Sequence, residues 1–197
     1  MTLTDWQQRL PNRSMLLKVV NYLFFNFLWP ACIFGAAAQV WWPGALLLAG
    51  FFLWHWLSGS TVRGDWKLVL IIVPLGIVVD TLWIRLGLLS FATPWPSVHF
   101  APVWIVVLWA GLALALNHCL LWLQNRLWLT GVLFLLASPF SYWCGSKFDA
   151  VTWLAPDWQV IAATGISWAL LMPLLLWLAA KLRGDAVPPE RAVAGRS

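Results

Sequence analysis

Few side chains in this 197-residue chain can do chemistry, and most of them sit inside apolar sequence. Asp80 stands out. It lies 13 residues beyond Lys67, or about 20 Å along a helix, well inside an apolar run. A bare aspartate at the centre of a membrane helix costs about 2.5–3.5 kcal/mol. It must therefore face other protein, carry a proton or find a partner. Such a carboxyl suits a proton carrier, a general acid or base, or a cation ligand. The structural alternative is a carboxyl bonded to Asn26, Ser141 or Tyr142 on neighbouring helices. Asp80, His118 and Tyr142 are the candidate catalytic groups. Asn26, Asn117, Ser141, Trp83 and Trp109 are the candidate binding groups.

His55 and His118 lie five or six residues from the same end of two parallel apolar runs, so their depths agree within about 2 Å at helical rise. Two histidines at one depth can ligate a b-type haem. The commoner use is hydrogen bonding between helices. No carboxylate cluster or second histidine pair accompanies them, so no metal and no cofactor is expected. The three cysteines, Cys32, Cys119 and Cys144, all fall in apolar runs without a CxxC pair, which supports neither a disulfide framework nor a zinc site. No GxSxG, Walker, HExxH or GxGxxG motif occurs. Whether the protein is an enzyme stays open at this level.

The elements that must position these groups follow from composition. Hydrophobic residues make up 62% of the chain and charged ones 10%, against about 25% charge in a soluble domain. Mean hydropathy is +0.80. A disordered chain, a disulfide scaffold and a nucleic-acid domain are excluded as descriptions of the whole. Apolar runs at 15–38, 44–61, 67–89, 101–123, 127–146 and 159–181 each approach the ~20 residues that span a bilayer, and spanning segments without barrel-like alternation are helices. The expected architecture is an all-α membrane protein, a six-transmembrane-helix bundle occupying 15–182. Segment 1–14, with Leu3, Trp6 and Leu10 on one face, is expected to lie on the membrane surface. The tail 183–197 is expected to be a disordered cytoplasmic extension.

Orientation follows from the basic residues. One side collects Arg9, Arg13, Lys18, Arg63, Lys67, Arg126, Lys181, Arg183, Arg191 and Arg196, the other only Arg85 and Lys147. That bias predicts both termini in the cytoplasm. Pro30, Pro74, Pro139 and Pro173 fall inside spans and predict kinks, with Ser138 and Ser141 able to satisfy the carbonyl freed by Pro139. Of the 18 tryptophans, all but Trp29, Trp83, Trp109 and Trp168 fall near a membrane interface, as aromatic belts require.

Four stretches carry a family resemblance: Asn21 to Ala36, Gly76 to Phe91, Pro102 to Leu123 and Ser138 to Val151. Together they resemble an uncharacterised proteobacterial inner-membrane family catalogued as a domain of unknown function, over roughly 19–181. The chain departs from the family pattern at Asn26, where glutamine is usual, and at Asp149, where a small residue is. The pattern includes Asp80, Asn117, His118, Ser141 and Tyr142. The resemblance implies a bacterial inner (plasma) membrane location. Such genes often lie beside those for cyclopropane-fatty-acid synthesis, which implies a role in membrane-lipid modification or stress response. The function expected is an accessory or enzyme acting on lipid chains. The alternatives are a small proton-coupled transporter using Asp80, or a structural partner of another membrane protein. The expected partners are membrane lipids and a membrane protein, with no nucleic acid.

Overall fold

The computed structural model describes residues 13–184. The expected surface segment and cytoplasmic tail fall almost wholly outside them; only their inner edges, Arg13–Ser14 and Arg183–Gly184, are described. Six α-helices follow the six apolar runs: α1 (Arg13–Ala37), α2 (Trp42–Ser58), α3 (Asp65–Arg85), α4 (Val103–Ala115), α5 (Leu127–Lys147) and α6 (Asp157–Arg183). Four of them, α1, α3, α5 and α6, are long and apolar enough to cross a membrane. Their outer faces carry exposed Leu70, Trp128, Leu136 and Leu170. Such surface is costly against water and is at home against lipid. Each of these four helices runs unbroken through its proline.

Two features depart from the expected plan. The run 101–123 is not one spanning helix. Only Val103–Ala115 is α-helical, and the chain then turns through Leu116–Leu120 into a single 3-10 turn, Leu121–Leu123. Helix α4 is apolar all round, as buried helices are, and ten of its 13 residues are buried. It packs on α1, α2 and α3. Enclosed by protein, it need not match the bilayer; the irregular segment after it buries Leu116, Asn117, Leu123 and Gln124 and leaves Trp122 exposed. The second departure is a two-stranded antiparallel sheet of β1 (Leu89–Phe91) and β2 (Val151–Trp153), pairing Ser90 with Thr152. It follows α3 and α5 and ties those two helix ends together.

The bundle thus has a sheet end and a histidine end. At the sheet end Thr93 Oγ1 donates to the Ala36 carbonyl and Trp41 stacks on Trp95. At the histidine end the α2–α3 loop packs against the close of α6. Gly64, at φ 98°, is placed where a Cβ would meet the Leu182 backbone, so this approach requires glycine. Among the described residues the basic side chains divide by end. Lys18, Arg63, Lys67, Arg126, Lys181 and Arg183 belong to the histidine end, and Arg85 and Lys147 to the sheet end.

Candidate functional site

Two polar clusters occupy the two ends of α3, separated by 15 residues, or about 22 Å of helix. The first surrounds Asp80, which is 1% exposed. Trp109 Nε1 of α4 donates to Asp80 Oδ2 at 2.6 Å, and the Tyr142 hydroxyl of α5 donates to Oδ1 at 2.9 Å. Three helices thus converge on one carboxyl. Sequence explains how the indole reaches it. Gly76 stands one helical turn before Asp80 on the same face, and a Cβ there would collide with the Trp109 ring. Trp168 of α6 stacks on Trp109 at 4.9 Å. The Trp83 and Trp168 N–H groups lie beside the Tyr142 hydroxyl without hydrogen-bond geometry.

Asp80, Trp109, Tyr142 and Trp168 line a cavity of about 420 Å³. Its walls are aromatic and aliphatic: Trp29, Trp104, Trp109, Trp168, Phe25 and Phe134, with Leu28, Leu108 and Leu112. Among the described residues Asp80 is the only charged one in the lining; the polar remainder is Asn26, Ser138, Ser141 and Tyr142. Phe91 and Val151 of the sheet, with Trp104, form the wall at the sheet end. Asn26 of α1 and Ala137 of α5 also line the cavity and are exposed on the flank of the bundle. The gap between α1 and α5 is bridged by Trp29 Nε1 donating to Ser141 Oγ at 3.0 Å. The cavity therefore reaches the flank between those two helices.

The expected partners of Asp80 included Asn26, Ser141 and Tyr142, and Tyr142 alone of these bonds to it. Asn26 Nδ2 donates to the Tyr22 carbonyl in its own helix. Of the four deep tryptophans, three line the cavity, and Trp83 packs beside Tyr142. Pro139 does not open α5: Ser138 Oγ donates to the carbonyls of Phe134 and Thr164, and the helix continues.

The second cluster is built on Asp65, which the sequence reading passed over. It opens α3 with Arg63 and Lys67 nearby, a setting that by itself suggests a solvated charge. Its position in the first turn of a helix was the available signal, since a carboxylate there meets the helix dipole. The side chain is fully buried. It accepts from the Val62 backbone N–H at 2.7 Å, from Asn117 Nδ2 at 2.8 Å and from His118 Nε2 at 3.0 Å. Gln124 Nε2 donates to Asn117 Oδ1 and to the Leu116 carbonyl, and Arg183 Nη2 donates to Gln124 Oε1. These bonds are the reason the fourth run stops being helical: Asn117, His118 and Gln124 turn inward to Asp65 and to one another.

His55 and His118, placed at matching depths by their spacing, are also in contact. Their rings lie edge to face at 4.5 Å. That contact answers the haem reading, because a porphyrin must lie between its two axial imidazoles and touching rings leave it no room. His55 is fully buried; its Nδ1 lies 3.2 Å from Ser60 Oγ, and its Nε2 has no hydrogen-bond partner among the described residues. Leaving such an atom unsatisfied costs about 1–3 kcal/mol. His55, Asp65 and His118 each bring one potential ligand atom within 4.8 Å of the others. The carboxylate that the sequence lacked beside the two histidines is thus supplied by Asp65. Asp80 and Tyr142 belong to one cluster, Asn117 and His118 to the other.

A family model described as Protein of unknown function (DUF2878) matches residues 18–174. The chain belongs to that family. The DUF2878 match encloses α2–α5 whole, the sheet, and both polar clusters except Arg183. No curated protein and no solved structure matches the chain.

Proposed function

We propose that this protein takes an apolar chain or a lipid-soluble small molecule from the bilayer into the aromatic cavity beside Asp80. The cavity's flank rim at Asn26 and Ala137 is the observation that carries this reading. Ligand sites are concave and mostly apolar, with a few polar groups that fix orientation, and this lining has that composition. Trp29, Trp109 and Trp168 provide broad apolar contact. Asp80 provides the polar end. An ionised carboxylate has about four acceptor positions, and two are taken by Trp109 and Tyr142. The remaining capacity favours a ligand head that donates a hydrogen bond, such as a hydroxyl or an amine.

In this reading all six helices form one transmembrane bundle. The histidine end, with its excess of Lys and Arg, faces the cytoplasm, and both termini lie on that side. The location is a bacterial inner membrane, the immediate partners are its lipids, and the role is in modification or maintenance of lipid chains. Among the described residues Asp80 is the only charged one in the cavity, which supports a binding site more than a chain of proton carriers.

The test is photolabelling of the purified full chain in nanodiscs with a long-chain fatty alcohol carrying a diazirine. Adducts are expected on cavity residues such as Phe134, Trp109 and Leu112. Asp80→Asn and Trp109→Leu should reduce labelling there while leaving the lipid-facing surface labelled. Adducts confined to outer residues such as Leu70 and Leu136, unchanged by either substitution, would overturn the reading.

A further inference from the structure

We propose that His55, Asp65 and His118 form a binding site for a divalent transition-metal ion of the zinc or ferrous class. The three side chains come from three segments: the last turn of α2, the start of α3 just after it, and the turn after α4, some fifty residues further on. One ligand atom from each lies within 4.8 Å of the others. Two ligands of a tetrahedral ion at ~2.1 Å stand about 3.4 Å apart, so closing on a metal requires side-chain adjustment and no rearrangement of helices. Two imidazoles with one carboxylate suit zinc or iron(II) better than magnesium or calcium, which prefer all-oxygen shells.

The unpartnered Nε2 of His55 points to a ligand independently of the clustering. A fully buried imidazole normally uses both nitrogens. Here Ser60 Oγ engages Nδ1 and nothing among the described residues engages Nε2. In the tautomer whose Nδ1–H donates to Ser60, Nε2 holds a lone pair and no proton, the form in which a histidine binds metal. The surroundings of Asp65 fit the same role. Asn117 and the Val62 N–H fix both carboxylate oxygens, and Gln124 in turn fixes Asn117. Ligating carboxylates and histidines are held by such outer hydrogen bonds. His118 gives up its Nε2–H contact to Asp65 on coordination; its Nε2 lone pair binds the ion and its proton moves to Nδ1. The His118 side chain, 9% exposed, leaves a route in. Three protein ligands leave at least one coordination position for water or another ligand.

The test uses Co2+ with the full chain in nanodiscs, purified on a tag without histidine. The chain contains three histidines in all, so the third, His99, serves as the control. About one Co2+ per chain should bind and give visible ligand-field bands that Zn2+ displaces. X-ray absorption at the cobalt edge should show two imidazoles. His55→Ala and His118→Ala should weaken binding by about 100-fold or more, Ser60→Ala by about 10-fold, and His99→Ala not at all. No bands from the wild-type chain in excess Co2+, or a shell without imidazole, overturns the proposal whether or not the variants fold. Bands that survive His55→Ala in a folded protein overturn it as well. This site and the Asp80 cavity are read by different probes, so either can fail alone.

Discussion

Helix α3 carries a buried aspartate near each end, and the two carboxylates are met in opposite ways. Asp65 is surrounded by amides, an imidazole and a backbone N–H, with Gln124 and Arg183 continuing the network outward. Asp80 is met by an indole and a phenol, and beyond them lie aromatic rings and open space. A hydrogen-bonded network in a low-dielectric interior is rigid when its members are satisfied. At the Asp65 end it replaces two turns of helix with a fixed irregular loop. Large aromatic side chains around Asp80 instead hold the acid while leaving volume that small amides would not enclose. One end of α3 uses polarity to build structure, and the other uses bulk to keep a cavity open.

The comparison is broken most severely at Asp65. Asp65→Ala leaves Asn117, His118 and the Val62 N–H without their acceptor. Removing one member of a buried charged cluster costs about 3–5 kcal/mol. Thermal unfolding of the full chain in detergent should show it as a lowered midpoint. Hydrogen exchange should rise across Leu116–Gln124 and stay unchanged at Tyr142. Next comes Gly76→Ala, which puts a methyl where the Trp109 ring lies and should cost about 1–3 kcal/mol as an overpacked contact. Near-ultraviolet circular dichroism should change, because Trp109 and Trp168 unstack, and photolabelling of the cavity should fall. The smallest effect is expected from Trp109→Phe. It keeps an aromatic ring and deletes one hydrogen bond to Asp80, about 1–3 kcal/mol when the acceptor stays buried. Its stability change should lie at the low end, because Tyr142 remains bonded to Asp80, and Co2+ binding at the far cluster should be unaffected.

The helices were legible in the sequence because apolar runs of bilayer length leave the backbone little choice. The end of the fourth was not. Leu116, Leu120, Leu121 and Leu123 are as apolar as the helix before them, and only the bonds of Asn117 and Gln124 decide where the helix stops. Asp65 is 52 residues from Asn117 and 53 from His118. Its local setting beside Arg63 and Lys67 suggests a solvated charge, and nothing nearby reports its burial. Asp80 was visible because an acid in an apolar run is costly wherever it points, and Tyr142 was named among its partners. Trp109 escaped as a partner because the space for its ring comes from the missing side chain of Gly76, on a helix whose packing the sequence does not display. Residue counting places His55 and His118 at equal depth; their ring contact is not in the count, because His118 lies in the turn beyond its helix.

The small sheet gives the cavity a property that its volume does not describe. β1 and β2 bind the ends of α3 and α5 together and place Phe91 and Val151 across the sheet end of the chamber. The chamber is therefore an alcove entered from the side, and not a bore running the length of the bundle. In the membrane setting we propose, such an alcove would cost the cell no leakage, however long it stood open. On the proposed reading the same wall also selects: a guest would have to be dissolved in the bilayer before it could enter, so abundance in the lipid phase, more than concentration in water, would set how often the site is filled.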